Sequence, residues 1–154
     1  MISLSCPIVG EKEKQALNTV IDSGWLTMGE RVAAFEIAFA KLHGREEAVA
    51  VNSCTAGLHL CLAAFDIGPK DEVLAPSLTF VATVNAVMYV GAKPVFVDIE
   101  SVNRPHISLR DAEAKWTPKT KAIIVMHYGG YLANMKAWRE FADKKVLVLI
   151  EDAA

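Results

Sequence analysis

"DEVLAPSLTFVATVNAVMYVGAKPVFVDI", Asp71 to Ile99, is the stretch whose reading decides the fold. "DEVLAP" is a short apolar run that Pro76 closes, and it reads as a strand. "TFVATVNAVMYVG" is apolar nearly throughout and ends on a glycine, as a buried helix does. "KPVFVDI" is a strand again. Neither strand alternates polar with apolar side chains, so both faces of the sheet must be covered.

The same alternation extends in both directions. Toward the N-terminus, "EAVAVN" reads as a strand and "CTAGLHLCLAAFDIG" as a helix closed by Gly68. Toward the C-terminus, "SLRDAEAKW" is a helix with Ser108 and Asp111 in capping-box-like positions. "KAIIVMHY" is a strand, "NMKAWREFADKK" a helix and "VLVLIED" a final strand. Strand and helix in turn, with continuously apolar strands, define an α/β fold around a parallel-rich sheet with helices on both faces.

Residues 1–44 differ from the rest and form an N-terminal helical segment. "EKEKQALNTVIDSG" places Ala16, Leu17, Val20 and Ile21 on one helix face, with Gly24 as its stop. "ERVAAFEIAFAKLHG" does the same with Val32, Phe35, Phe39 and Leu42, and Gly44 stops it. Between them lies "SGWLTMG", a turn-like linker. Residues 45–154 carry the alternating β/α part.

The 154 residues suit one compact domain, 53% of them are hydrophobic, and the formal net charge is −2. That charge provides no basic face for nucleic acid, so a small-molecule ligand fits better. Cys6, Cys54 and Cys61 are an odd number at no metal-like spacing, which disfavours a disulfide scaffold or a zinc site. The N-terminus has no positive leader before its brief apolar run, and no stretch approaches the roughly 18 apolar residues of a membrane span. The expectation is a cytoplasmic protein with no membrane partner and no metal.

In an open parallel sheet, ligands bind at the carboxyl ends of the strands. That rule leaves Asn52 to Thr55, Pro76 to Phe80, Asp98, His127 to Gly130, and Glu151 with Asp152. "VNSCTAG" is neither a dinucleotide fingerprint nor a P-loop. It does put hydroxyls and free amides at a helix start, where Ser53, Thr55 and the amides of Thr55 and Ala56 either hold a phosphate or simply cap the helix. Cys54, at the same helix N-terminus, is either a thiol of lowered pKa or a small packing residue. Phe80 either stacks on a flat ligand or packs as core. Asp152 can pair with a cation, act as a base or cap a loop. His127 stands alone at a strand end, and Glu151, facing away from Asp152, has no assigned role.

Taken in order, "SGWLTMG", "NSCTAGLHL", "DEVLAPSLTFVATVNAV", "GAKPVFVDI", "TPKTKAIIVMHYGG" and "VLVLIEDAA" resemble the motifs of the sugar aminotransferases of the DegT/StrS type. These have the aspartate-aminotransferase fold and depend on pyridoxal 5'-phosphate. The resemblance covers nearly the whole chain and implies part of the large domain of a fold-type I transferase. It places Thr55 and Ala56 on the cofactor phosphate, Phe80 on the face of the pyridine ring, and Asp152 beside the pyridine nitrogen. A carboxylate there stabilises the protonated nitrogen, which makes the ring a better electron sink.

The implied partners are nucleotide-sugar and amino-acid substrates, with glutamate as donor, and a second copy of the chain in a homodimer. Two departures stand out. The loop "GGYLANM" lacks a proline common in the family near the substrate region. The family's Schiff-base lysine lies beyond the position of Ala154, so the resemblance leaves no catalytic lysine in this chain and an inactive fragment is expected. Lys70, Lys93, Lys121, Lys144 and Lys145 precede strands and so belong to the other end of the sheet. A sugar dehydratase or regulatory member of the same fold, or a non-catalytic phosphate-binding module, are the alternatives.

Overall fold

The computed structural model describes residues 6–154, so the first five residues of the expected helical segment lie outside the described residues. Two compact units divide between Ala50 and Val51. The first contains α1 (Glu11–Ser23) and α2 (Glu30–Leu42). Each ends where a glycine takes the left-handed conformation that Cβ disfavours: Gly24 at φ 70° and Gly44 at φ 61°. In the linker, Trp25 Nε1 donates to Met28 O at 3.0 Å. The indole then fills the space where a Cβ on Gly29 would stand.

The apolar faces of these helices are poorly covered. Leu17, Ile21, Phe35 and Phe39 are exposed, and Ala40 is the buried residue of the pair. "EAVAVN", expected as a strand, joins no ladder among the described residues. An extended segment becomes a strand only through a hydrogen-bonding neighbour. Instead, the Ala50 amide donates to Glu36 Oε1 at 2.8 Å.

The second unit runs α3 (Cys54–Ala64), β1 (Glu72–Pro76), α4 (Val81–Tyr89), β2 (Lys93–Val97), β3 (Ile99–Ser101), β4 (Arg104–Ile107), α5 (Leu109–Lys115), β5 (Thr120–Met126), α6 (Met135–Lys145) and β6 (Val148–Asp152). Four strands form one sheet in the order β2-β1-β5-β6, every pair parallel. The continuously apolar strands are explained by two cores, one on each face. Val73, Ala122, Ile124 and Ile150 pack with Leu58, Leu62, Ala86 and Val87 of α3 and α4. Their strand neighbours Leu74, Ile123 and Val125 turn the other way, onto Ala112 of α5 and Trp138, Phe141 and Ala142 of α6. Successive residues of one strand thus serve opposite faces. Leu62, Leu74, Ile123 and Ile124 are fully buried, each worth about 2 kcal/mol of apolar transfer.

The hairpin β3–β4 was not expected from the sequence. Its ladder closes at Ser101 and Arg104, with Val102 and Asn103 as the turn and the Arg104 amide donating to Ser101 Oγ at 3.1 Å. Ser108 caps α5 as expected, accepting from the Asp111 amide at 3.3 Å. Asp111 does not return the bond. Its Oδ2 accepts from the Asp98 amide and from Lys115 Nζ, both at 2.7 Å, tying the start of α5 to the end of β2.

Candidate active site

After β1 the chain crosses to β2 on one side, and later it returns to place β5 on the other side of β1. The connections therefore diverge at the carboxyl ends of β1 and β5, opening a crevice where ligands of such sheets bind. Asp152, the last residue of β6, stands at this edge with Met126 of β5 as its register partner.

Asp152 is 5% exposed. Thr83 Oγ1, from the first turn of α4, donates to its Oδ2 at 3.1 Å. Oδ1 receives Cys54 Sγ at 3.6 Å and the Ala154 amide at 3.3 Å. All three donors are neutral, and no ion pair among the described residues includes Asp152. A carboxylate taken out of water without a positive partner is costly to bury, so this arrangement suits a cationic ligand group.

The start of α3 lies at the same edge, because Cys54 reaches Asp152. Ser53 is the N-cap, its Oγ accepting from the Ala56 amide at 3.2 Å. The capping reading therefore holds for Ser53. Thr55 and Ala56 are half-buried beside it, and the Thr55 hydroxyl has no hydrogen-bond partner among the described residues. The amides that open a helix have no carbonyl one turn back to pair with, and the helix dipole favours an anion there.

Cys54 is no activated nucleophile. Partial burial pushes its thiol above the ordinary 9.0, and the charge of the Asp152 carboxylate raises it further. A helix N-terminus alone would have acted the other way; burial and the adjacent carboxylate together outweigh it.

Phe80 is the N-cap residue of α4 and is 74% exposed. It does not pack as core. Its side chain is open at the start of α4.

Two residues left isolated in the sequence are joined here. His127 is buried at the end of β5, with Nε2 2.7 Å from Oε1 of Glu151. Its Nδ1 accepts from the Ala133 amide at 3.2 Å, and its own amide donates to Asp152 O at 3.0 Å. Thr79 and Thr83 were also missed. Two threonines four residues apart, one just before α4 and one in its first turn, were the signal.

Two of the five lysines named from the sequence are engaged away from this edge. Lys93 Nζ pairs with Glu72 at 3.0 Å at the amino end of the sheet, and Lys145 Nζ stands 3.9 Å over the Trp116 ring. A groove of about 470 Å³ also lies at that end of β6, lined by Phe65, Arg139 and residues 146–149 among others. It contains none of the groups above. No helix among the described residues is long and apolar enough to cross a membrane.

A parallel sheet with helices on both faces is of the α/β class, and the solved structures it resembles are aminotransferases of fold-type I. The family model of the DegT/DnrJ/EryC1/StrS aminotransferases matches residues 7–154, and the chain belongs to that family. It is 45% identical over 150 residues to SpsC of Bacillus subtilis, a spore coat polysaccharide biosynthesis protein, covering 97% of this chain and 38% of that protein. DesV of S. venezuelae superposes with a TM-score of 0.88 at 38% identity, over 93% of this chain and 38% of that one. The PLP-form of Spr1654 from Streptococcus pneumoniae gives 0.88 at 28% identity, over 99% and 39%. The chain therefore spans about two fifths of these relatives' length, and pyridoxal phosphate is the cofactor to which the family points.

Proposed function

We propose that this chain forms the cofactor-binding part of a pyridoxal-phosphate-dependent aminotransferase. Its reaction moves an amino group from an amino acid, glutamate, to a nucleotide-linked keto-sugar in polysaccharide or cell-envelope sugar biosynthesis. The observation that carries this reading is Asp152, a buried carboxylate with neutral donors and no cationic partner among the described residues. A protonated ring nitrogen supplies the missing positive charge.

When bound, the cofactor provides an electron sink for the carbanion left when the substrate loses its α-proton. Asp152 keeps the ring nitrogen protonated throughout. The Thr55 hydroxyl and the amides of Thr55 and Ala56 hold the phosphate, the Ala56 amide being shared with Ser53. Phe80 covers one face of the ring and excludes water from it.

The role of SpsC of Bacillus subtilis in spore coat polysaccharide biosynthesis supports a sugar as amino acceptor. The working protein is a cytoplasmic homodimer, and the exposed Leu17, Ile21, Phe35 and Ile37 of α1 and α2 support a partner surface. The 154 residues alone transfer no amino group. Borohydride reduction after incubation with the cofactor leaves no pyridoxyl-lysine at one specific position; such an adduct would overturn that statement.

Titration of the intact protein with pyridoxal phosphate tests the site itself. Asp152→Asn is expected to weaken binding about tenfold or to move the absorbance band, as loss of a charge-assisted hydrogen bond does. Identical titrations for both proteins would refute the reading.

A further inference from the structure

We propose that Thr83 is a positioning residue of this site, its hydroxyl holding Oδ2 of Asp152 so that Oδ1 is presented to the ligand's cation. The proposal rests on the cofactor reading of Asp152 given above. Thr83 is fully buried, whereas Cys54 and Ala154, which meet Oδ1, are exposed. One carboxylate oxygen is thus turned to the interior and the other to the open edge.

Proton accounting fixes the direction of the contacts. Each threonine hydroxyl has one proton to donate. An ionised carboxylate only accepts, so the Thr83 proton goes to Asp152 Oδ2 at 3.1 Å. In the 2.7 Å contact between the two hydroxyls, Thr79 must then be the donor. The Thr79 oxygen also lies 3.0 Å from Met126 Sδ at the end of β5, a contact that this assignment leaves without a proton. The relay runs from Thr79 through Thr83 to Asp152 and joins the loop after β1 to the end of β6. A carboxylate on a strand tip has χ1 and χ2 free to turn. This relay sets both before any ligand arrives, and preorganisation of that kind lowers the cost of binding.

Thr83→Val keeps the shape and removes the hydroxyl; Thr83→Ser keeps the hydroxyl and removes the methyl. Two readouts serve in the intact protein: the dissociation constant for pyridoxal phosphate, and the visible circular dichroism of the bound cofactor, which reports how the ring is held. Thr83→Val is expected to bind about tenfold more weakly with a diminished dichroic band, and Thr83→Ser to return within about twofold of wild type. Unchanged affinity and dichroism in Thr83→Val overturn the proposal, and so does a Thr83→Ser protein as impaired as Thr83→Val. If Thr83→Val does not fold, Thr79→Val removes the donor that orients Thr83, and wild-type behaviour there overturns it as well. Binding that Asp152→Asn leaves unchanged refutes the functional reading and this role together. Binding weakened by Asp152→Asn but not by Thr83→Val refutes this role alone.

Discussion

Glu151 Oε1 lies 2.7 Å from His127 Nε2, so two residues 24 positions apart are joined across adjacent strands at the edge where Asp152 stands. Because Nδ1 accepts from the Ala133 amide, the ring proton belongs on Nε2 and points at the glutamate. The pair fixes one tautomer, and with it the loop that leaves β5.

That geometry separates the two partners energetically. Glu151 is half exposed, so Glu151→Gln, which can still accept from Nε2, is expected to cost less than about 1 kcal/mol. His127→Phe strands the buried Ala133 amide and is expected to cost about 1–3 kcal/mol. Urea denaturation of both variants measures the difference. A larger loss from Glu151→Gln would contradict the arrangement.

At the opposite end of the sheet, Glu72 is a stability switch for acid. Thr117 Oγ1 donates to its Oε2 at 2.7 Å and Lys93 Nζ to its Oε1 at 3.0 Å. These two bonds, the threonine's first, hold its carboxyl below the ordinary 4.5. A carboxyl lowered on folding stabilises the protein above its unfolded value, and the contribution is lost as pH falls through the folded one. Thermal melts of wild type and Glu72→Gln should therefore differ most above about pH 5 and converge as the pH falls below the ordinary carboxylate range. A difference that grows in acid would reverse the assignment.

Cys54 and Asp152 are coupled through charge. The raised thiol predicts that Cys54 alkylates more slowly than Cys61 at pH 7.5 in the cofactor-free protein, both being exposed residues. Asp152→Asn removes the negative neighbour and should speed Cys54 without changing Cys61. Peptide mapping after timed iodoacetamide treatment reads both rates. Equal acceleration at the two cysteines would instead mean general loosening.

The two hydroxyls at the start of α3 have separable tasks. Ser53 caps the helix, so Ser53→Ala is expected to cost about 1 kcal/mol of stability. Thr55 has no such bond, so Thr55→Val should leave the melting point nearly unchanged and weaken cofactor binding about three- to tenfold. Loss of stability in Thr55→Val with intact binding would return Thr55 to a purely structural role.

The sequence alone determined the class of fold, because burial on both faces of a parallel sheet leaves a visible mark. Runs such as residues 73–75 and 122–125 have no polar alternate, and each intervening apolar segment ends on glycine or charge. Asp152 was expected at the carboxyl end of its strand and stands there as the last residue of β6, whereas Thr55 and Ala56 were assigned to such an end through a strand that does not form. The hairpin of residues 99–107 escaped because its two strands are too short to show a period, and "EAVAVN" misled because pattern cannot supply a hydrogen-bonding partner.

Tertiary structure alone decided which side chains meet. Thr83 reaches Asp152 across 69 residues and His127 reaches Glu151 across 24. Nothing local links either pair; only strand register and helix packing bring them within bonding distance. It decided the state of Cys54 for the same reason. The helix start that would lower its pKa is written in the sequence, while the burial that raises it, and the carboxylate that adds to this from 98 residues away, come only with the packed fold.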